Sequence, residues 1–240
     1  MFEFSRRRVA GLAICGLSVA CSSSRGGGSE GTIPASAEAG AAGDSALEPS
    51  GGECASRFAT SVESFTAGPG PNTGQGDLPD IVLGPPKGGG TINGSLDVAT
   101  LGNGGTITLG FAPSFIVDRP GPDFIVFENP FNVNGDPRRP FAELATVEVS
   151  DDGQTFFAFP CTATAYPYGS CAGWHPVLAN ADKNSIDPTD PRVAGGDAFD
   201  LADLGLTEAR YVRITDRVDL TGAAGTFDLD AISIAHGACP

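Results

Sequence analysis

The chain has 240 residues, 40% of them hydrophobic, and its 29 acidic side chains against 14 basic ones give a formal charge of -15. Such an excess of negative charge repels phosphate backbones and argues against a nucleic-acid partner. Only two histidines are present, and the cysteines fall at spacings that match no zinc motif, so a thiol-histidine metal centre is not expected.

Ser5 to Arg8 precede an apolar run from Val9 to Ala20, followed by Cys21. A basic start, an apolar stretch well short of the roughly 20 residues that span a bilayer, and small residues before the cysteine predict a signal peptide over residues 1–20. Leu17 to Cys21, LSVAC, resembles a bacterial lipobox, which implies a lipid on Cys21; simple secretion after cleavage near Ala20 is the alternative. The segment SRRRV also fits a twin-arginine signal, so the general and twin-arginine export routes stay open. Residues 21–53 hold almost no large apolar side chains, cannot offset the entropy of ordering, and read as a disordered tether. Ser22, rather than aspartate, after Cys21 favours the outer membrane or cell surface. Loss of residues 1–20 removes three arginines and one glutamate and leaves a charge of -17.

Residues 54–240 suit one β-rich domain with one sizeable core. Its four cysteines, in an oxidising compartment, predict two disulfides. Of the three pairings, Cys54 with Cys239 brackets the domain and Cys161 with Cys171 closes a short loop, and this is the preferred connectivity. Strand-like runs recur between Gly, Pro, Asn and Asp clusters: Ile81 to Leu83, Leu96 to Leu101, Thr106 to Phe111, Phe115 to Val117, Phe124 to Glu128, Thr146 to Ser150 and Thr155 to Phe159. Tyr211 to Asp216 alternates, with Val212 and Ile214 on one face and Asp216 continuing it. No long amphipathic helix is expected; Ala198 to Leu206 offers one or two helical turns that would gather Asp197, Asp200 and Asp203. Many short strands predict an all-β antiparallel sandwich of jelly-roll type.

In the last run, Asp228 and Asp230 share parity with Ile232 and Ile234, so either both faces are buried or two carboxylates point inward. Buried carboxylates need a cation, an arginine such as Arg213, or a raised pKa. Calcium takes about six to eight oxygens from carboxylates and carbonyls. The candidate ligands are Glu128 and Asn129 after the apolar run, Asp197 and Asp200 in GGDAFD, and Asp228 and Asp230 in FDLD. No EF-hand loop is present, and NVNGD at Asn132 to Asp136 reads as a turn. The long segment from Pro160 to Gly196 carries Tyr166, Tyr168 and the only tryptophan, Trp174. Exposed rings suit the apolar faces of sugars, and the alternative is that they pin the loop to the sandwich.

The segments LGPPKGGGTINGSLDVATLGNGGTITLGF, GPDFIVFENPF, ATVEVSDDGQTFFAFPC, GGDAFDLADLGL, ARYVRITD and FDLDAISI together resemble a group of exported bacterial cell surface proteins. VSDDGQTF, RYVRIT and DAISI are also similar to the discoidin, or coagulation-factor type C, branch of the galactose-binding-like jelly rolls. That resemblance implies a surface-binding module, a structural calcium and a disulfide tying the termini.

No Gly-x-Ser-x-Gly elbow appears, and GPPKGGGT lacks the ending of a phosphate-binding loop. The expectation is therefore a non-enzymatic, membrane-anchored lipoprotein whose sandwich binds calcium and a glycan or another surface ligand. An exported polysaccharide-cleaving enzyme using the acid cluster, or a structural surface protein, is the alternative.

Overall fold

The computed structural model describes residues 56–218 and 225–240. The expected signal peptide over 1–20, the lipidated Cys21, the tether over 21–53 and Cys54 lie outside these residues. Short β-branched and aromatic runs, interrupted by glycine and proline, fold into short strands. The first are β1 (Ser61–Thr66), β2 (Ala99–Thr100), β3 (Thr106–Gly110), β4 (Phe115–Val117) and β5 (Phe124–Phe127). Next come β6 (Phe131–Asn132), β7 (Pro140–Phe141), β8 (Ala145–Ser150), β9 (Phe157–Ala158) and β10 (Asp197–Phe199). The last are β11 (Glu208–Ala209), β12 (Tyr211–Asp216), β13 (Asp228–Leu229), β14 (Ala231–Ile234) and β15 (Gly237–Ala238). Helix among the described residues is limited to short 3-10 turns, so the fold is all-β, as the strand patterning predicts. None of these helices is long and apolar enough to cross a membrane.

A five-stranded sheet, in the order β1-β3-β12-β8-β9, and a three-stranded sheet, β10-β5-β14, are antiparallel throughout. They share one core. Ile107, Leu109, Val147, Val149, Val212 and Ile214 from the larger sheet cluster with Phe124, Val126, Phe199, Ile232 and Ile234 from the smaller. The Phe124, Phe159 and Phe199 rings pack at centroid separations of 4.9 to 5.9 Å. Burial of so much apolar surface on both inner faces supplies the main drive for the sandwich.

The smaller sheet is covered on its other face too. Ile125, Phe127 and Ala231 pack with Val177, Ala179 and Ala194 of the long segment before β10, and Ser233 Oγ donates to the Pro188 carbonyl at 2.7 Å. Two covered faces explain why the sequence FIVF is continuously apolar rather than alternating. The same covering resolves the parity question at β14, whose four residues are all buried.

Several local expectations are corrected. Ile81 to Leu83 is not a strand; Asp80–Val82 forms a 3-10 turn in which only Val82 is buried. The run from Leu96 contracts to β2, with Leu96 itself 88% exposed. β1 carries no apolar run and is an edge strand. Asp197 lies in β10 against Val126, and only Leu201–Leu204 makes a helical turn, capped by Asp200, which accepts the Ala202 N–H at 2.9 Å. Asp197, Asp200 and Asp203 are thus not gathered on one helical face. Arg213 points to the outside of the larger sheet, where it forms a bidentate pair with Glu148 at 2.7 and 2.8 Å and lies over the Phe156 ring, so it is not the partner of the inward carboxylates. The Cys161–Cys171 disulfide forms as expected. Cys239 is disulfide-bonded, and its expected partner Cys54 lies outside the described residues.

Candidate metal centre and neighbouring aromatic groove

One rim of the three-stranded sheet collects the acids. β5 runs directly into Glu128, β10 opens with Asp197, and β14 is preceded by Asp228 and Asp230, whose own N–H donates to the Phe127 carbonyl at 3.0 Å. The side chains nonetheless have different partners. Asp197 accepts the N–H groups of Gly173 and Trp174 on one oxygen, at 2.7 and 3.2 Å, and meets His175 Nδ1 with the other at 2.7 Å. Asp230 accepts the Lys87 N–H on both oxygens at 3.0 Å, and burial pushes its pKa up to about 7. Asp216 accepts from Gly104 and Phe227 N–H at 2.9 and 2.7 Å. These three acids are held by backbone donors and need no further partner.

Glu128 is different. It is 1% exposed, and neither carboxylate oxygen has a donor in hydrogen-bonding geometry. The Asn129 N–H approaches it closely enough to offset a little of the burial, but burial, with the charges of Glu143 and Asp228, holds its pKa well above the carboxylate range. Asp228 Oδ2 accepts from Asn129 Nδ2 at 3.3 Å, while its Oδ1 is buried without a partner. Glu143 completes the group, with one oxygen from each of the three side chains falling within 4.8 Å of the others. Burial, followed by the charges of Asp228 and Asp216, raises the Glu143 pKa to about 8.

Glu143 was not among the sequence candidates, and only its place between apolar neighbours marks it. Ala142 and Leu144 pack with the Cys161–Cys171 disulfide, Tyr168 and Trp174 in a small satellite core. Alternation along the extended chain then turns Glu143 the other way, into the acid group. Its N–H donates to the Gly173 carbonyl at 3.1 Å. Gly173 has φ of +94°, and a β-carbon there would lie 2.0 Å from the Glu143 carbonyl oxygen, so this position requires glycine. Gly173 therefore ties Glu143 on one side to Asp197 on the other.

Of the sequence candidates, Glu128, Asn129 and Asp228 come together. Asp197 and Asp230 sit on the same rim with their carboxylates otherwise engaged. Asp200 belongs to a separate group with Asp118 and Asp123. There the buried Asp123 is fully partnered, accepting from Arg119 and Leu201 N–H at 3.0 and 2.8 Å and meeting His236 Nδ1 at 3.0 Å.

Immediately beyond Gly173, Trp174 and His175 enter the wall of a groove of about 540 Å³ that Tyr166, Thr91, Asn132, Leu178 and Arg192 also line. Trp174 is half-buried. Its indole N–H donates to the Cys171 carbonyl at 3.0 Å, and its ring meets Tyr166 and Tyr168 edge-on at 5.8 and 6.0 Å. The rings thus both pin the stapled loop and furnish a surface. Tyr166 is 43% exposed and reaches the groove, whereas Tyr168 turns toward Arg138, Arg139 and Phe141. The contact of Nδ1 with Asp197 orients the His175 ring and leaves Nε2 to face a ligand. No protein-family model, curated protein or solved structure matches the chain.

Proposed function

We propose that this domain is a non-catalytic glycan-binding module of galactose-binding-like, jelly-roll type, displayed at the cell surface or outer membrane by an exported lipoprotein acylated at Cys21. The observation that carries the reading is the groove beside Trp174, His175 and Tyr166, where ring surfaces adjoin the side chains of Thr91, Asn132 and Arg192. A sugar offers apolar C–H faces to such rings and hydroxyls to such polar groups. His175 Nε2, oriented by Asp197, is placed to hydrogen-bond a sugar hydroxyl. Arg192 is held by a bidentate pair with Asp190 at 2.9 and 2.7 Å, which leaves little of its charge for an anionic ligand. Together with the acidity of the whole chain, this favours neutral glycans. Five strands facing three around one core support the jelly-roll reading. The expected signal peptide over 1–20, the lipobox-like LSVAC and the expected tether over 21–53 support the envelope location.

A polysaccharide-cleaving enzyme would need two carboxylates about 5 to 10 Å apart across the scissile bond. No acidic side chain of the described residues lines the groove, which favours binding without cleavage. Native electrophoresis through gels containing neutral or polyanionic polysaccharides tests the proposal. The expected result is retardation by at least one neutral polysaccharide, with no reducing ends released. Unretarded migration in every gel, or release of reducing ends, would count against it.

A further inference from the structure

We propose that Glu128, Glu143 and Asp228 bind a single hard divalent cation of calcium size. The inference begins from Glu128, 1% exposed, whose two oxygens are buried without a donor and one of which lies within 4.8 Å of an oxygen of Glu143 and of Asp228. A buried carboxyl group in that condition lacks the partner that makes burial tolerable. Asp228 Oδ1 is a second buried oxygen without a partner in the same group. Asn129 Nδ2 occupies the other oxygen of Asp228 and so orients the free one. Glu128 and Asp228 thus converge on Glu143 with oxygens that have no donor, while Asp197, Asp216 and Asp230 around them are engaged by backbone N–H groups and, at Asp197, by His175.

The donor chemistry restricts the ion, and the spacing admits calcium. Every donor of the set is a carboxylate oxygen, which suits calcium or magnesium rather than zinc or copper. Two oxygens bound to one calcium, each about 2.4 Å from it, lie at most about 4.8 Å apart, and the three carboxylates meet that limit. The smaller octahedral sphere of magnesium demands a tighter cluster than calcium does. Gly225 preserves the space, because a β-carbon there would fall 1.6 Å from Glu143 Oε1. Three ionised carboxylates around a doubly charged ion leave one net negative charge.

This site stands independently of glycan binding. The test titrates calcium chloride and magnesium chloride separately into chelator-stripped, full-length mature protein, read by calorimetry and by melting temperature. One calcium per chain is expected, with a higher melting temperature and an affinity at least about tenfold above that for magnesium. Glu128→Gln should lose calcium binding, yet its metal-free form should melt no lower than the metal-free wild type, because the amide donates to Glu143 and Asp228. Asp200→Asn, in the other acid group, should bind calcium as the wild type does. Glu143→Gln provides the same readout if Glu128→Gln does not fold. Absence of both heat and thermal shift with folded wild type, or wild-type calcium affinity in either Gln variant, would overturn the proposal.

Discussion

With chelator present, the domain should melt at a higher temperature at pH 5 than at pH 8, the reverse of ordinary acid denaturation. Asp230, 2% exposed, has its pKa lifted chiefly by burial from 3.8 to about 7. A carboxyl whose pKa is raised on folding binds more protons in the native state than in the unfolded chain between those two values. The stability it contributes is therefore complete below about pH 4 and is lost as pH rises toward and through 7. Glu143, raised to about 8 by burial and by neighbouring acids, adds to the loss in the same direction. For Asp230 alone the change is on the order of 3 kcal/mol, or roughly 5–10 °C for a domain of this size. Asp230→Asn should abolish its share of the slope and raise the melting temperature at pH 8, since the amide oxygen still accepts the Lys87 N–H. A melting temperature that stays level or climbs from pH 5 to pH 8 in metal-free protein would show that these carboxyls are ionised in the folded state.

Trp174→Ala should weaken binding to a retarding neutral glycan by about 30-fold or more, the loss typical of an aromatic hot spot. The same substitution removes the indole hydrogen bond to Cys171 and part of the satellite core around the disulfide, so a lowered melting temperature is expected with it. Tyr166→Ala separates the two effects. Its ring is 43% exposed and carries less of the loop's packing, so binding should fall while the melting temperature holds. Retention of wild-type affinity by both variants, measured in the same gels, would remove the groove from recognition.

The parts of the fold legible in the sequence are those where burial on one face imposes a period of two. Tyr211 to Asp216 is the clearest case: Val212, Ile214 and Asp216 are buried and Tyr211, Arg213 and Thr215 are not. The same parity already placed Arg213 on the opposite face from Asp216, which is why it pairs with Glu148 and leaves the inward acids alone. β1 escaped notice because an edge strand with one largely solvated face has no need of an apolar run. Ile81 to Leu83 misled because three apolar residues do not distinguish a strand from a turn, and the pinning of Val82 alone decides the matter.

The acid group was half legible. Glu128 follows a continuously apolar strand, and Asp228 and Asp230 precede another, so their convergence at one rim follows from the antiparallel pairing of β5 and β14. The division between engaged and free carboxylates was not legible, because the donors to Asp197 and Asp230 are backbone N–H groups from distant loops. Glu143 was missed for a related reason. A lone acid between Ala142 and Leu144 carries no motif, and its inward direction is fixed by the packing of those two neighbours against the disulfide.

Trp174 is the only tryptophan in the chain, so its fluorescence reports on the groove alone. Titrating neutral oligosaccharides into the protein while following that emission is the most direct test of the glycan-binding reading. A saturable shift in emission, with Trp174 shielded from a soluble quencher at saturation, is the result expected from a sugar seated beside the ring. Emission and quenching that remain constant up to millimolar concentrations of oligosaccharides from a polysaccharide that retards the protein would contradict it and place recognition elsewhere on the domain.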